Sequence, residues 1–473
     1  MPKNSFYITT TIPYVNADPH IGFALELVQS DAIARYQRLI GREVFFSTGT
    51  DEYGQKIWEA SQKQGKPVQE YVDHYAQVFL DLTKSLNLSV DNFIRTTSKE
   101  HIEAAQKFWR LCDTRGDIYK KKYQGLYCVG CEKFIVEKDL IDGKCAFHPT
   151  LTPEMVEEEN YFFRLGKYKE ELLEYLNGEK AIIPEWRRKE AIDFVENAIE
   201  DFSVSRSKER LTWGVPIPDD DTQVMYVWFG AFVNYISTLG WPNQKEKFEK
   251  FWTQGETVQT AGKDMVKFQS VMWQGMLMSA GIKTTDIVVY HGFVTGEGGI
   301  RMSKSLGNVI NPNDIVKEYG TDALRYFLLR EISSFEDSPF TMERFKEAYN
   351  SGLANGLGNL VSRILTMAEN YGVAFMAPDA ETVFPIENFN IKEYADKIWA
   401  KIADADKKIQ ETEPYKLFKF DPSGAKKIIT ELTHELYQVA LALQPLLPET
   451  AKKMIELIKN SKKPEKPLFL RKE

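Results

Sequence analysis

The sequence predicts an α/β chain: a parallel sheet split by a cysteine-bearing insertion and followed by an all-helical region. Three observations carry this. Short β-branched and aromatic runs alternate with apolar-periodic helical stretches in the first quarter of the chain. The alternation breaks near Gly116 and returns near Val224. After about Phe340 strand-like runs cease.

In order, Phe6-Tyr7-Ile8-Thr9-Thr10-Thr11-Ile12 reads as a buried strand, because β-branched and aromatic residues run without interruption. A turn rich in Pro, Asn and Asp leads into a helical period from about Phe23 to Leu39. Val44-Phe45-Phe46-Ser47 forms the next strand and ends at Gly49-Thr50-Asp51-Glu52; Val68 to Leu86 is helical. Tyr119 to about Ser207, with its cysteines, turns and many Glu and Lys residues, interrupts the pattern as an insertion. Val224-Met225-Tyr226-Val227-Trp228-Phe229, Val258 to Gly262 and Ile287 to Gly292 restore it as strands. Residues 341–473, rich in Leu, Ala, Lys and Glu at helical spacing, read as a bundle. The expected domains are 1–117 and 208–298 (two halves of one α/β domain), 118–207 (insertion), 299–342 (a loop and connecting region) and 343–473 (helical).

The 473 residues suit about three domains, and 43% hydrophobic with 27% charged residues is ordinary for a globular chain. The formal charge of −8 excludes a dedicated, sequence-blind nucleic-acid binder, so any contact with nucleic acid must use local basic patches. Met1 to Phe6 lacks the apolar core of a signal peptide, and no run of about 18 apolar residues is present. The expectation is a cytoplasmic protein with no membrane association. Four cysteines are present; Cys128, Cys131 and Cys145 cluster beside His148, while Cys112 stands apart as a buried thiol. In a cytoplasmic chain, Cys128-x-x-Cys131 with Cys145-x-x-His148 reads as a metal knuckle, not as disulfides. Three thiolates and an imidazole suit tetrahedral Zn²⁺ and leave no open position, so one structural zinc per chain is expected.

Two further motifs bear on phosphate chemistry. The turn after the first strand carries His20 and Gly22 at a helix start, where ligands of open α/β sheets bind. Gly296-Glu297-Gly298-Gly299 precedes Arg301 and Lys304 on a short polar loop, suited to a triphosphate whose charge rises in the transition state. Taken singly, each also fits an ordinary surface turn. Neither a Walker P-loop nor Gly-x-Gly-x-x-Gly is present.

Together with Thr9–Gly22 and Met302–Ile310 with Pro312, the segments Gly49–Ile57, Tyr226-Val227-Trp228, Gly262-Lys263-Asp264-Met265 and His291-Gly292-Phe293 resemble, in order, the methionine branch of the class I aminoacyl-tRNA synthetases. The likeness covers nearly the whole chain. It implies a Rossmann-type catalytic domain split by a zinc-binding connective insertion, then a helical anticodon-binding domain. It also implies methionine activation by ATP with Mg²⁺, transfer to tRNA(Met), and these residue roles. His20 stabilises the α-phosphate and Gly22 packs on adenine. Gly262 and Asp264 lie at the ribose, and His291 belongs to the ATP site. Lys304, with Arg301, neutralises the departing pyrophosphate. Ile12, Tyr14, Trp228, Ala231, Phe232, Tyr235 and Gln269 line the methionine pocket, and Asp51 takes the substrate ammonium. From their residue types alone, Trp228 and Tyr235 equally suit core packing. Asn359 and Arg363 share a helix face for anticodon bases, and Tyr415 offers a stacking surface.

The chain departs from that pattern at Phe23 (the family's second signature histidine), Arg301 (lysine), Gln269 (histidine), Gly230 (aspartate) and Tyr415 (tryptophan). The insertion is too short for the hydrolytic editing domain of the isoleucine, valine and leucine enzymes. The absence of a further C-terminal domain leads to the expectation of a monomer. Two alternatives stay in view: another class I synthetase, such as the cysteine enzyme, and a non-catalytic tRNA-binding paralogue.

Overall fold

The computed structural model describes residues 4–129, 133–135, 140–146, 151–300, 302, 309–377 and 383–472. Its contacts divide the chain into two compact units. The first comprises Met1–Pro19, Glu43–Lys84 and Val90–Tyr290; the second comprises His20–Arg42, Ser85–Ser89 and His291–Glu473.

The first unit is built on six strands: β1 (Ser5–Thr9), β2 (Glu43–Thr50), β3 (Asn92–Arg95), β4 (Ile182–Ile183), β5 (Glu256–Gly262) and β6 (Ile287–His291). Their order across the sheet is β3-β2-β1-β5-β6-β4. Strand β1 pairs in parallel with β2, Ser5 opposite Glu43, and with β5, Phe6 opposite Glu256. Phe6, Tyr7 and Ile8 are completely buried, as consecutive residues of an inner parallel strand must be. The chain steps from β1 to β2 on one side and returns to β5 on the other, so a topological switch lies beside β1. Crevices at the carboxyl ends of the strands flanking such a switch are where open α/β sheets bind ligands.

The insertion is more regular than its composition foretells. Ile118–Cys128 runs antiparallel to Glu154–Phe163, from Ile118 opposite Phe163 to Tyr127 opposite Glu154. Helices Lys169–Leu176 and Glu185–Ala198 follow. Between them β4 joins the main sheet by pairing with β6.

One strand expectation needs correction. Val224–Phe229 is not a single strand of the main sheet. Asp220–Met225 pairs antiparallel with Ser205–Ser207 in a separate small sheet, and Val227–Phe232 is helical. The spacing explains this: Trp228, Phe232 and Tyr235 stand four and three residues apart, which is helical periodicity.

The second unit begins with α1 (Ile21–Leu39), buried along most of its length. Val294–Thr295 pairs with Ser338–Pro339, and the remainder is helical as expected. Met342–Ala348 runs into the π-helix Tyr349–Gly358, then α2 (Asn359–Asn370); α3 (Ile391–Thr412), α4 (Pro422–Leu443) and α5 (Pro448–Lys459) follow. The wide turns of the π-helix pass close to other groups. A Cβ on Gly352 would overlap the Tyr326 hydroxyl, and Trp399 Nε1 donates to the Gly352 carbonyl at 3.2 Å. At the centre, Arg325 and Asp31 form a wholly buried ion pair at 2.8 Å. Arg325 also donates to the carbonyls of Leu86, Pro445 and Leu446, tying the 85–89 segment and the α4–α5 turn to α1. Among the described residues no helix is long and apolar enough to cross a membrane.

Candidate active site

In the first unit, six of the eight residues expected to hold methionine are linked by contacts that start at the carboxyl ends of β1 and β2: Asp51, Tyr14, Trp228, Phe232, Tyr235 and Gln269. Past β1 the chain stays alongside β2: Asp51 N donates to Pro13 O at 2.9 Å and Val15 N to Asp51 O at 3.2 Å. This bridge sets Tyr14 beside Asp51, with Ile12 just before it. Tyr14 meets Trp228 edge-on, with ring centroids 6.2 Å apart, and Trp228 lies 5.8 Å from Phe232. Phe232 stacks at 6.5 Å on Tyr235, whose hydroxyl donates to Gln269 Oε1 at 3.1 Å. Ala231 and Phe232 are buried; Ile12, Tyr14 and Trp228 are half-buried.

The two adjacent acids are used differently. Glu52 is completely buried and accepts two parallel bonds from Arg95, at 2.7 and 2.9 Å, a bidentate clamp. Thr97 and Thr50 also donate to it, and its backbone carbonyl accepts Trp213 Nε1 at 2.7 Å. Asp51, also buried, receives longer contacts on Oδ1, from Thr96 Oγ1 at 3.4 Å and Tyr53 N at 3.5 Å. Burial, reinforced by both acids, pushes the Tyr53 hydroxyl up to about 12.

Sequence reasoning missed several members of this site. Phe268 stacks on Trp228 at 4.5 Å, 19° from parallel, and forms the indole's platform. Behind Gln269 lies a buried polar group: Gln259, Gln274 and Thr285. Nothing in the sequence singles these out, since glutamines and threonines far apart carry no motif. Gly230 falls within the Val227–Phe232 helix, buried, where it adds no side chain.

Gly262 and Asp264 also belong to this unit. Gly262 ends β5, and Asp264 is exposed on the helical turn that follows. Their place beside the switch between β1 and β5 suits a nucleoside.

The second unit holds the remaining described residues that the resemblance assigns to ATP. His20 caps α1: its Nδ1 accepts from Gly22 N at 3.1 Å, and its carbonyl accepts from Phe23 N and Ala24 N. Because Nδ1 is the acceptor, the neutral ring carries its proton on Nε2, the donor a phosphate oxygen requires. A Cβ on Gly22 would sit 3.0 Å from His20 Cε1, so the glycine makes room for this ring. His291 is buried, its Nε2 3.0 Å from Glu26 Oε2 and its Nδ1 2.8 Å from Gly292 O. Gly292 is required by packing, since a Cβ there would strike the Glu336–Asp337 backbone. Arg301 and Lys304 lie outside the described residues.

Of the anticodon set, Asn359 is exposed at the start of α2 and Tyr415 is 42% exposed. Arg363 is engaged by Asp406 across from α2. Beside it Asn355, Gly356, Trp399 and Asp406 line part of a cleft of about 600 Å³. In the insertion, Cys128 and Cys145 are buried together in one small cluster with Ile135; Cys131 and His148 lie outside the described residues. Cys112 is a buried thiol, as expected, and burial pushes it up to about 12.

A family model described as tRNA synthetases class I (M) matches residues 6–151 and 135–365, which defines the class of the fold and site. A methionine–tRNA ligase of Thermotoga maritima is 39% identical, covering 98% of this chain and 76% of the relative. One of Rhizobium meliloti is 39% identical over 96% of this chain and 91% of the relative. The Mycobacterium tuberculosis methionyl-tRNA synthetase in complex with methionyl-adenylate superposes with a TM-score of 0.88 at 36% identity, covering 97% and 94% of the two chains. The chain belongs to the methionine–tRNA ligase family of the class I tRNA synthetases.

Proposed function

We propose that this chain activates L-methionine with ATP and transfers it to the 3′ end of tRNA(Met), releasing pyrophosphate and AMP. The observation that carries this is the pocket of Tyr14, Trp228, Phe232 and Tyr235 around a buried carboxylate, Asp51. A thioether has no charge and is a weak acceptor, so shape and polarizable aromatic contact must select it. The carboxylate takes the ammonium and leaves the substrate carboxylate outward. That carboxylate attacks the α-phosphorus as the bond to the β-phosphate oxygen breaks. The tRNA hydroxyl then attacks the acyl carbon and AMP leaves. Positioning and charge stabilisation carry both steps. His20 Nε2 is assigned to the α-phosphate, Gly22 to adenine, and Gly262 and Asp264 to the ribose. His291 is assigned to shaping the ATP site, and Lys304 with Arg301 to the leaving pyrophosphate. Mg²⁺ enters with ATP and offsets part of its charge.

Residues 343–473 are read as the anticodon-binding part, with Asn359, Arg363 and Tyr415 as contacts. We assign one structural zinc to Cys128, Cys131, Cys145 and His148. The support is the donor set and the shared burial of the two described thiols. A cytoplasmic, monomeric enzyme completes the reading; metal analysis checks the zinc and sedimentation velocity the monomer.

ATP–pyrophosphate exchange, run with methionine and with each other amino acid in turn, tests the reaction. Exchange with methionine is expected. Exchange only with another amino acid would make this a different class I specificity. No exchange, with tRNA binding kept, would make it a non-catalytic paralogue.

A further inference from the structure

Between α3 and α4 the chain makes one short helical turn. Glu413, in the left-handed conformation at φ 39°, sets the corner, and Pro414 opens the turn. Backbone bonds carry it past Leu417: Phe418 N donates to Pro414 O at 3.0 Å, Lys419 N to Lys416 O at 3.1 Å and Phe420 N to Leu417 O at 2.9 Å. The turn has two faces. On the inner one Pro414 is buried, Leu417 and Phe418 are half-buried, and Phe418 stacks on Tyr371 with ring centroids 4.0 Å apart. Tyr371 directly follows α2, so the inner face docks the turn on the helix that carries Asn359 and Arg363. On the outer face Tyr415, Lys416, Lys419 and Phe420 are all exposed. At about 100° per residue these four share one arc, in the order Tyr415, Lys419, Lys416, Phe420: two rings with two ammonium groups between them.

Phe420 is 86% exposed, the most exposed large apolar side chain among the described residues. A lone exposed ring is commonplace, but this one shares its arc with a second exposed ring and two cations, on a chain of net charge −8. The acids beside the arc are engaged. Glu413 accepts from Lys416 at 2.6 Å and from Tyr415 at 3.2 Å, and Asp421 caps α4 through Gly424 N at 2.9 Å. The Lys416–Glu413 pair is exposed on both sides, so it is worth little and yields to a phosphate. Rings that take bases, with cations that take the phosphates between them, hold unpaired nucleotides in single-strand binders. We propose that Phe420 is a second stacking platform for an unpaired nucleotide of the tRNA anticodon loop, beside Tyr415, with Lys416 and Lys419 on the intervening phosphates. The proposal rests on the reading of residues 343–473 as the anticodon-binding part.

Aminoacylation of tRNA(Met) by the full chain tests it, with ATP–pyrophosphate exchange as the tRNA-independent control. Phe420→Ala should raise KM for tRNA roughly 5- to 150-fold, the worth of one stacked base, while KM for methionine and for ATP in exchange stays at the parent value. Phe420→Leu, apolar but without a π face, should do the same, and Phe420→Trp should keep the parent KM. Lys419→Gln should reduce the steepness of log affinity against log salt by about 0.7, the mark of one phosphate on a single strand. An isolated hairpin of the anticodon arm should compete with tRNA for the parent and compete less well for Phe420→Ala. An unchanged KM for tRNA in Phe420→Ala, with Tyr415→Ala raising it, would overturn the proposal alone. So would a Phe420→Leu that matches the parent, because the contact would then be apolar and not stacked. A Phe420→Ala effect on self-association in sedimentation velocity, with KM for tRNA unmoved, would also overturn it and make the face a contact between copies. If Asn359→Ala, Tyr415→Ala and Phe420→Ala all left KM for tRNA unchanged, the anticodon reading itself would fall.

Discussion

Ile21, the first residue of α1, donates its backbone N–H to the carbonyl of Ile310 at 3.0 Å. The opening N–H groups of a helix have no partners within it. Here one is taken by the chain just beyond the 301–308 stretch, and the next, that of Gly22, by the His20 ring. The two signature segments, nearly 290 residues apart in sequence, are thus tied at the level of the backbone, one residue from His20.

His20→Asn separates the cap from the chemistry. Asparagine caps a helix as well as any residue, so stability should stay within about 0.5 kcal/mol of the parent. The imidazole N–H is lost, and the exchange rate should fall roughly 100- to 1,000-fold, as for a deleted transition-state donor. Thermal melting and exchange kinetics on one preparation read both effects.

Asp51→Asn keeps the shape beside Tyr14 and removes the charge. KM for methionine should rise roughly 10- to 100-fold, the worth of a hydrogen bond to a charged group. KM for ATP should hold. A parallel rise in both would mean that Asp51 supports the fold and does not meet the ammonium. The neighbouring Glu52 is the control, because its carboxylate is already clamped by Arg95.

Burial pushes Asp31 up, but Arg325, Arg35 and the Ser89 donors outweigh it and hold the carboxyl below its usual range. Such a group adds stability above its unfolded pKa, near 4, and loses it as pH falls further. Asp31→Asn strands the Arg325 charge with no exposure at all. It should cost about 3–5 kcal/mol, seen as a lower denaturation midpoint at pH 7 with a shrinking gap to the parent in acid.

His101 has the opposite chemistry and a different pH window. It is completely buried with Nδ1 2.9 Å from Ser237 Oγ, and burial pushes it down to about 4. The unfolded chain takes up this proton near pH 6.5 and the folded chain only near pH 4, so stability is lost as pH falls between the two. The loss should total roughly 3 kcal/mol. Denaturation midpoints of the parent and of His101→Gln, measured from pH 7.5 to 4.5, should differ in slope, the variant being flatter.

The local setting of several candidate residues is legible in the sequence for a physical reason, while their assigned roles come from the family resemblance. Asp51 follows β2, Trp228 and Tyr235 stand on short helices, and His20 and Gly22 lie at the start of α1, where turn and helix-start patterning places them. The reading fails where distant partners decide. Val224–Phe229 has strand composition, yet the aromatic side chains needed at a helical spacing split it at Tyr226. Ile182–Ile183 is too short to announce a strand and exists because β6 offers an edge. The Glu26–His291 contact and the Gln259–Gln269–Tyr235 chain join residues whose types are commonplace; only the fold makes them neighbours.

The π-helix Tyr349–Gly358 has a consequence for Asn359 and Arg363, which begin the helix after it. Each wide turn takes up a residue beyond the α-helical count. Deleting one residue there would leave hydropathy and length almost untouched, but would rotate α2 by about 100° about its axis. Leu360 and Ile364, now buried, would swing toward solvent while polar neighbours turned inward. The direction in which this helix presents its polar face is therefore stored as an angle upstream, which makes the segment intolerant of single-residue insertions and deletions even where substitutions are absorbed.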